Sequence, residues 1–153
     1  MLEAGAFPEE RELVGMLLDG LSADTLDRRA RLFADNLSGQ LALLQGDSAK
    51  AISILRAQRS TARVDSLVWW AEESLSSTWL LLANLLLESG LFHEAIQIAS
   101  KYDHSAPVTY PTFAAASLRI RHQAALELGD QALISKYRDR LLGLGRSDLV
   151  AEP

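Results

Sequence analysis

An all-α fold of stacked antiparallel helical hairpins, about seven helices in all, is what this sequence predicts. Three observations carry the prediction. Apolar residues recur every three or four positions, as in Leu26, Ala30, Phe33, Leu37, Leu41 and Leu44, which puts them on one face of a helix. Gly and Pro are scarce (9 and 4 of 153 residues) and sit at what read as element boundaries. A unit also recurs in which a helix ends at Gly, a short turn follows and a second helix begins. It stands as Leu44-Gln45-Gly46-Asp47, Glu88-Ser89-Gly90-Leu91 and Glu127-Leu128-Gly129-Asp130. No useful length alternates apolar and polar residues as a half-buried strand does.

The elements follow in order. Pro8 to Asp19 reads as a short first helix, with Pro8 at the first position and Glu9, Glu10 and Glu12 near the positive end of the dipole. Ser22 or Asp24 caps a longer helix that Gly46 stops. Asp47 or Ser48 caps the next, whose Ala51, Ile54, Leu55 and Gln58 lie on one side. Between Ser60 and Ser76 the pattern weakens, and the apolar run Leu67-Val68-Trp69-Trp70 reads as a helical turn or short helix. Ser76 or Ser77 caps a strongly apolar helix that Gly90 ends, and Leu91 to Lys101 is its partner. Asp103 to Tyr110 is a loop. Pro111 opens a helix to Leu128, Gly129 suits the left-handed turn position, and Asp130 caps a last helix to about Leu142. The reading is one domain: an N-terminal helix and turn over 1–23, hairpins over 24–60, 76–109 and 111–145, and a connector over 61–75.

Composition narrows the chemistry. The chain has no Cys, which excludes disulfides, thiolate metal sites and a Cys nucleophile. Its formal charge of −5 argues against generic binding to a phosphate backbone, so no nucleic-acid partner is expected. The charge is uneven: from Pro111 to Arg146 six basic residues (Arg119, Arg121, Lys136, Arg138, Arg140, Arg146) face three acids. That third would meet an acidic partner, or be an ordinary solvated face. The greasiest stretch, Trp79 to Leu87, is shorter than the roughly 20 apolar residues a membrane span needs. No basic n-region leads into an apolar stretch, and a soluble, cytoplasmic protein is expected. The ends MLEAGAF and LVAEP would suit a piece of a longer chain.

No catalytic motif is present: no phosphate-binding Walker loop, no dinucleotide-binding glycine fingerprint, no nucleophile elbow. His93, His104 and His122 lack a second ligand at the three- or four-residue spacing that a helical metal site needs. His122 is expected either at the surface or buried and hydrogen-bonded. Glu9-Glu10 and Glu72-Glu73 are adjacent in sequence, so on a helix each pair diverges instead of forming a dyad. No metal, cofactor or enzymatic activity is expected. Trp69 and Trp70 would serve as a binding anchor or cover the seam between the first two hairpins. The second is expected, with Trp70 the more buried.

The middle copy of the repeat resembles a tetratricopeptide repeat. Trp79, Leu82, Ala83, Leu86, Gly90, Ala95, Ile96, Ala99 and Pro107 stand at the spacings that family uses. Small Ala83 and Ala95 let two helix backbones approach, Trp79 and Leu86 fill the gap to the neighbouring hairpin, Gly90 frees the turn and Pro107 ends the second helix. The first copy keeps Gly39, Gly46, Ala51 and Leu55 but has Asp35 and Ser38 where Trp and Leu are usual. The third keeps Gly129, with Ile134 and His122 in place of small residues. The turn glycines are 44 and 39 positions apart, more than the family's repeat of about 34. The likeness covers roughly residues 24 to 145. The stretch from Leu85 onward also looks like the C-terminal tetratricopeptide regions of large bacterial signalling regulators, both kinases and transcriptional activators.

What the resemblance implies is a non-catalytic scaffold that binds a partner peptide or protein on the concave face of its first helices. Carried over by position, that face holds Asn36 and Gln40, then Ser77, Leu80, Asn84 and Glu88, then Arg119, Gln123 and Glu127. The amides can bond a peptide backbone, and Arg119 can pair with a carboxylate. The alternative is a regulatory, sensory or self-associating helical region of a larger bacterial signalling protein, which would make a homo-oligomer.

Overall fold

The computed structural model describes residues 16, 28–61, 69–103 and 110–150. Every regular element among them is helical. The helices are α1 (Arg28–Leu44), α2 (Ser48–Thr61), α3 (Trp69–Glu88), α4 (Phe92–Ala99), α5 (Tyr110–Leu128) and α6 (Gln131–Gly143). Single 3-10 turns follow α4 at Ser100–Asp103 and α6 at Ser147–Leu149. Among the described residues no helix is long and apolar enough to cross a membrane. Of the expected helix over Pro8–Asp19 only Met16, which is helical, is among the described residues; His104 and Pro107 lie outside them.

The contacts group into two units, Met1–Leu67 and Val68–Pro153. In the first, α1 packs on α2. Ala34 and Ala42 of α1 and Ala51, Ile52 and Leu55 of α2 are buried. The approach is close at Gly39, where a Cβ atom would stand 2.7 Å from Leu55 Cδ2. Of the two caps the sequence offers for α2, Asp47 does the work: its carboxylate accepts from the Lys50 amide at 2.9 Å.

In the second unit α3 pairs with α4, α5 pairs with α6, and α5 also packs on α3 and α4. So α5 is the central helix. It buries Ser117, Leu118, Ile120, Arg121, His122, Ala124 and Ala125, more than one stripe, because neighbours lie on several sides. Ala83 and Ala95 are both fully buried, as a close α3–α4 crossing requires. Leu118, Ala125, Tyr137 and Leu141 form a core onto which Ile96, Ile134, Leu149 and Val150 pack. The outer positions of α6, including Gln131, Ser135, Lys136, Arg138 and Asp139, are exposed and polar, which suits a helix that faces water. Asp130 caps α6 as expected, accepting from the amides of Ala132 and Leu133 at 3.1 Å each.

Helix α3 differs from expectation. It begins at Trp69, seven positions before the expected caps, and Ser76 and Ser77 lie inside it. Tertiary contact overrides the local preference of serine for a cap. Ser76 is fully buried, and its carbonyl accepts from the Tyr102 hydroxyl at the far end of the hairpin. The 61–75 connector therefore gives way to helix from Trp69 on. The side chains of Trp69 and Trp70, and so their expected place in a seam, lie outside the described residues.

The recurring turn has one geometry. After α3, the Gly90 amide donates to the Leu87 carbonyl (3.1 Å) and the Leu91 amide to the Leu86 carbonyl (2.8 Å), with Gly90 at φ +74°. Those are helix-terminating bonds around a left-handed residue. Gly145, at φ +69°, repeats the pattern after α6 through the Arg146 amide and Leu141 carbonyl (3.0 Å). A Cβ at Gly90 would meet nothing within 4 Å, so substitution costs backbone strain alone. Gly90→Ala is expected to cost about 1 kcal/mol and Gly90→Asn less, because Asn tolerates that region. Urea midpoints in which alanine equals glycine would contradict this.

Candidate functional site

Three polar residues on two helices meet on an exposed face of the second unit. Ser77, Leu80, Asn84 and Glu88 recur at three- or four-residue spacing on α3, and Arg119, Gln123 and Glu127 do so on α5, so each set lines one face. Ser77, Glu88, Arg119 and Glu127 are exposed, while Leu80, Asn84 and Gln123 are half-buried. The Arg119 Nη2 donates to Asn84 Oδ1 at 3.1 Å, and Asn84 Nδ2 donates to Glu88 Oε1 at 2.6 Å. One turn further along α5, Gln123 Nε2 donates to Glu127 Oε1 at 3.0 Å.

The charges orient the amide. A flipped Asn84 would aim its NH2 at the guanidinium and its oxygen at the carboxylate, so the ion on each side selects the observed orientation. The cation, amide and anion form one row across the two helices. Exposed pairs of this kind are worth only a few tenths of a kcal/mol each. The row therefore sets geometry more than stability, and its groups are cheap to re-pair with an incoming donor or acceptor.

Of the expected positions, Asn84, Glu88 and Arg119 are thus joined directly. Gln123 bonds within its own helix, and Ser77 and Leu80 share the α3 face. Asn36 and Gln40 belong to the first unit and pair with each other, Gln40 Nε2 donating to Asn36 Oδ1 at 3.0 Å.

A second cluster is absent from the sequence reading. Arg121, counted there with surface charge, is almost wholly buried, its side chain 2% exposed. It binds Asp103 in a fork, Nη1 to Oδ2 at 2.7 Å and Nη2 to Oδ1 at 2.9 Å. Its Nε donates to the Ser117 carbonyl at 3.3 Å, and its guanidinium lies 5.2 Å from the centre of the Tyr137 ring. Arg140 of α6 donates to the same Asp103 Oδ1 at 2.7 Å. Burial pushes the Asp103 carboxyl up, but the hydrogen bonds and positive charge of Arg121 and Arg140 outweigh it and hold the group well below the usual carboxylate range. So one carboxylate ties the end of α4 to α5 and α6. Two of the six basic residues of the C-terminal third are spent on it, and a third, Arg146, pairs with Asp148 at 2.8 Å. The surface left for an acidic partner is correspondingly smaller.

Trp79 is buried beneath the Lys101 ammonium, 3.7 Å above its ring, where a cation is attracted to the ring face. It thus also covers the end of its own hairpin. His122 is buried, and neither ring nitrogen has a hydrogen-bond partner, which corrects the expected hydrogen-bonded histidine. His93 is exposed. Among the described residues no three His, Asp or Glu side chains gather as a metal site would require. No protein-family model matches the chain, and no curated protein or solved structure is significantly similar to it.

Proposed function

We propose that this chain is a non-catalytic scaffold of the tetratricopeptide kind, and that it binds an extended protein segment on the face of α3 and α5. The observation that carries the proposal is the Arg119–Asn84–Glu88 row, an ordered set of donors and acceptors on the exposed side of two packed first helices. An extended peptide offers backbone N–H and C=O groups at regular intervals. Asn84 and Gln123 can meet both kinds, and Arg119 can meet an acidic side chain. Half-buried Leu80 adds an apolar contact beside them. The resemblance of the middle hairpin to the repeat family supports the same reading.

A random peptide library displayed on phage and selected on the immobilised chain tests this. Selected peptides are expected to bind Asn84→Ala and Arg119→Glu at least about tenfold more weakly, a loss of about 1.4 kcal/mol. Arg138→Glu, on the exposed side of α6, should leave binding unchanged. Peptides that bind all three variants equally would place recognition elsewhere.

A further inference from the structure

We propose that His122 is an acid-sensitive latch for the α5–α6 hairpin: when its ring takes up a proton, α6 loosens from α5. The latch is independent of the binding face. His122 lies four residues after Leu118 and three before Ala125, both in the core that α5 shares with Tyr137 and Leu141 of α6. That spacing puts the ring on the same side of the helix. The equivalent place in the preceding hairpin, 39 residues earlier, is Ala83. An ionisable ring thus fills a crossing that alanine fills elsewhere.

The surroundings are built for the neutral ring. His122 is 1% exposed, and both ring nitrogens lack a partner. A neutral imidazole already pays for one stranded donor and one stranded acceptor; the imidazolium strands two donors and a charge. The elements packed on α5 carry Glu88 on α3, Glu94 on α4, Asp103 in the turn, and Tyr137, Arg138 and Arg140 on α6. None of their carboxylates bonds the ring, and Asp103 is held by its two arginines. Burial, joined by the positive charge of Arg138, holds the ring below the ordinary histidine value. The unfolded or opened chain therefore takes the proton first. Stability from this site is complete above the free-imidazole range and is lost as pH falls from there through the lowered value of the folded ring. One proton is involved, so the opening constant rises by at most about tenfold per pH unit.

Proton NMR of the imidazole resonances from about pH 8 to 5, with His122 assigned by its loss in His122→Gln, reads the ring directly. Amide hydrogen exchange, corrected for the intrinsic pH effect, reads the hairpin. The expected result is a ring that titrates below the ordinary value, and faster exchange in α5 and α6 at low pH while α1 and α2 hold. His122→Ala should remove that acid-induced opening. A ring that titrates at or above the ordinary value, or an opening that persists in both variants, overturns the proposal. The wild-type titration decides the matter even if a variant fails to fold.

Discussion

Asp103→Ala is expected to destabilise the chain by about 3 kcal/mol, because it leaves the buried Arg121 guanidinium without its counter-ion. The two sides of the pair are unequal. The Arg121 side chain is 2% exposed and that of Asp103 37%, so water reaches the carboxylate but not the cation. That places the loss at the low end for a broken buried pair. Arg121→Met fills the same space without charge, and the Asp103 it leaves is partly solvated and still held by Arg140. Its cost should be smaller, about 1–2 kcal/mol. Adding Arg121→Met to Asp103→Ala should then recover part of the loss, since the stranded charge is gone. Urea unfolding followed by Trp fluorescence gives all three values, Trp79 lying under Lys101 in the same turn. A single-variant loss under about 0.5 kcal/mol would mean that the cluster only positions the turn. Acid gives an independent check. The folded carboxyl is held low, so its contribution is whole above the unfolded value near 4 and disappears as pH falls below it. That acid step lies below the one expected from His122, and the two are separable in one titration.

What was legible in the sequence was whatever is local. Helices α1, α2, α5 and α6 follow from apolar spacing, and the ends of α1, α3 and α5 from glycines whose left-handed conformation any other residue adopts at a cost. The Asp130 cap is local too. The start of α3 was not legible, because Leu67-Val68-Trp69-Trp70 reads as a separate helical turn or short helix and Ser76 reads as a cap until Tyr102 is seen to reach its carbonyl. The polar face was legible as two helical stripes, but the link from Arg119 to Asn84 spans 35 residues and appears only when α5 packs on α3. The Asp103–Arg121 fork was hidden for a related reason. In a charge count every arginine looks solvated, and nothing in the spacing marks Arg121 as the one that faces inward. Asp103 also fell in a stretch read as loop.

The first unit gives the other large effect. Leu55→Ala is expected to cost about 3 kcal/mol, since Leu55 is fully buried against α1 and its loss leaves a cavity. The cavity opens beside Gly39, whose Cβ would otherwise stand 2.7 Å from Leu55 Cδ2 and 3.0 Å from its Cγ. Gly39→Ala alone sets two effects against each other. Alanine gains about 1 kcal/mol of helix propensity over glycine, and overpacking a buried leucine costs about 1–3 kcal/mol. Overpacking wins, because Leu55 has no solvent side to turn to, and a net loss of about 1 kcal/mol is expected. Combined, the two changes should not add. With Leu55 shortened, the new methyl group enters the vacated space and keeps its propensity gain, so Gly39→Ala becomes stabilising by about 1 kcal/mol in the Leu55→Ala background. The sign of the Gly39 effect thus reverses with the residue opposite it. Helical circular dichroism during urea unfolding includes the signal of this hairpin, which contains none of the three Trp residues. Additive losses in the double variant would show that the α1–α2 crossing is looser than the Gly39–Leu55 contact requires.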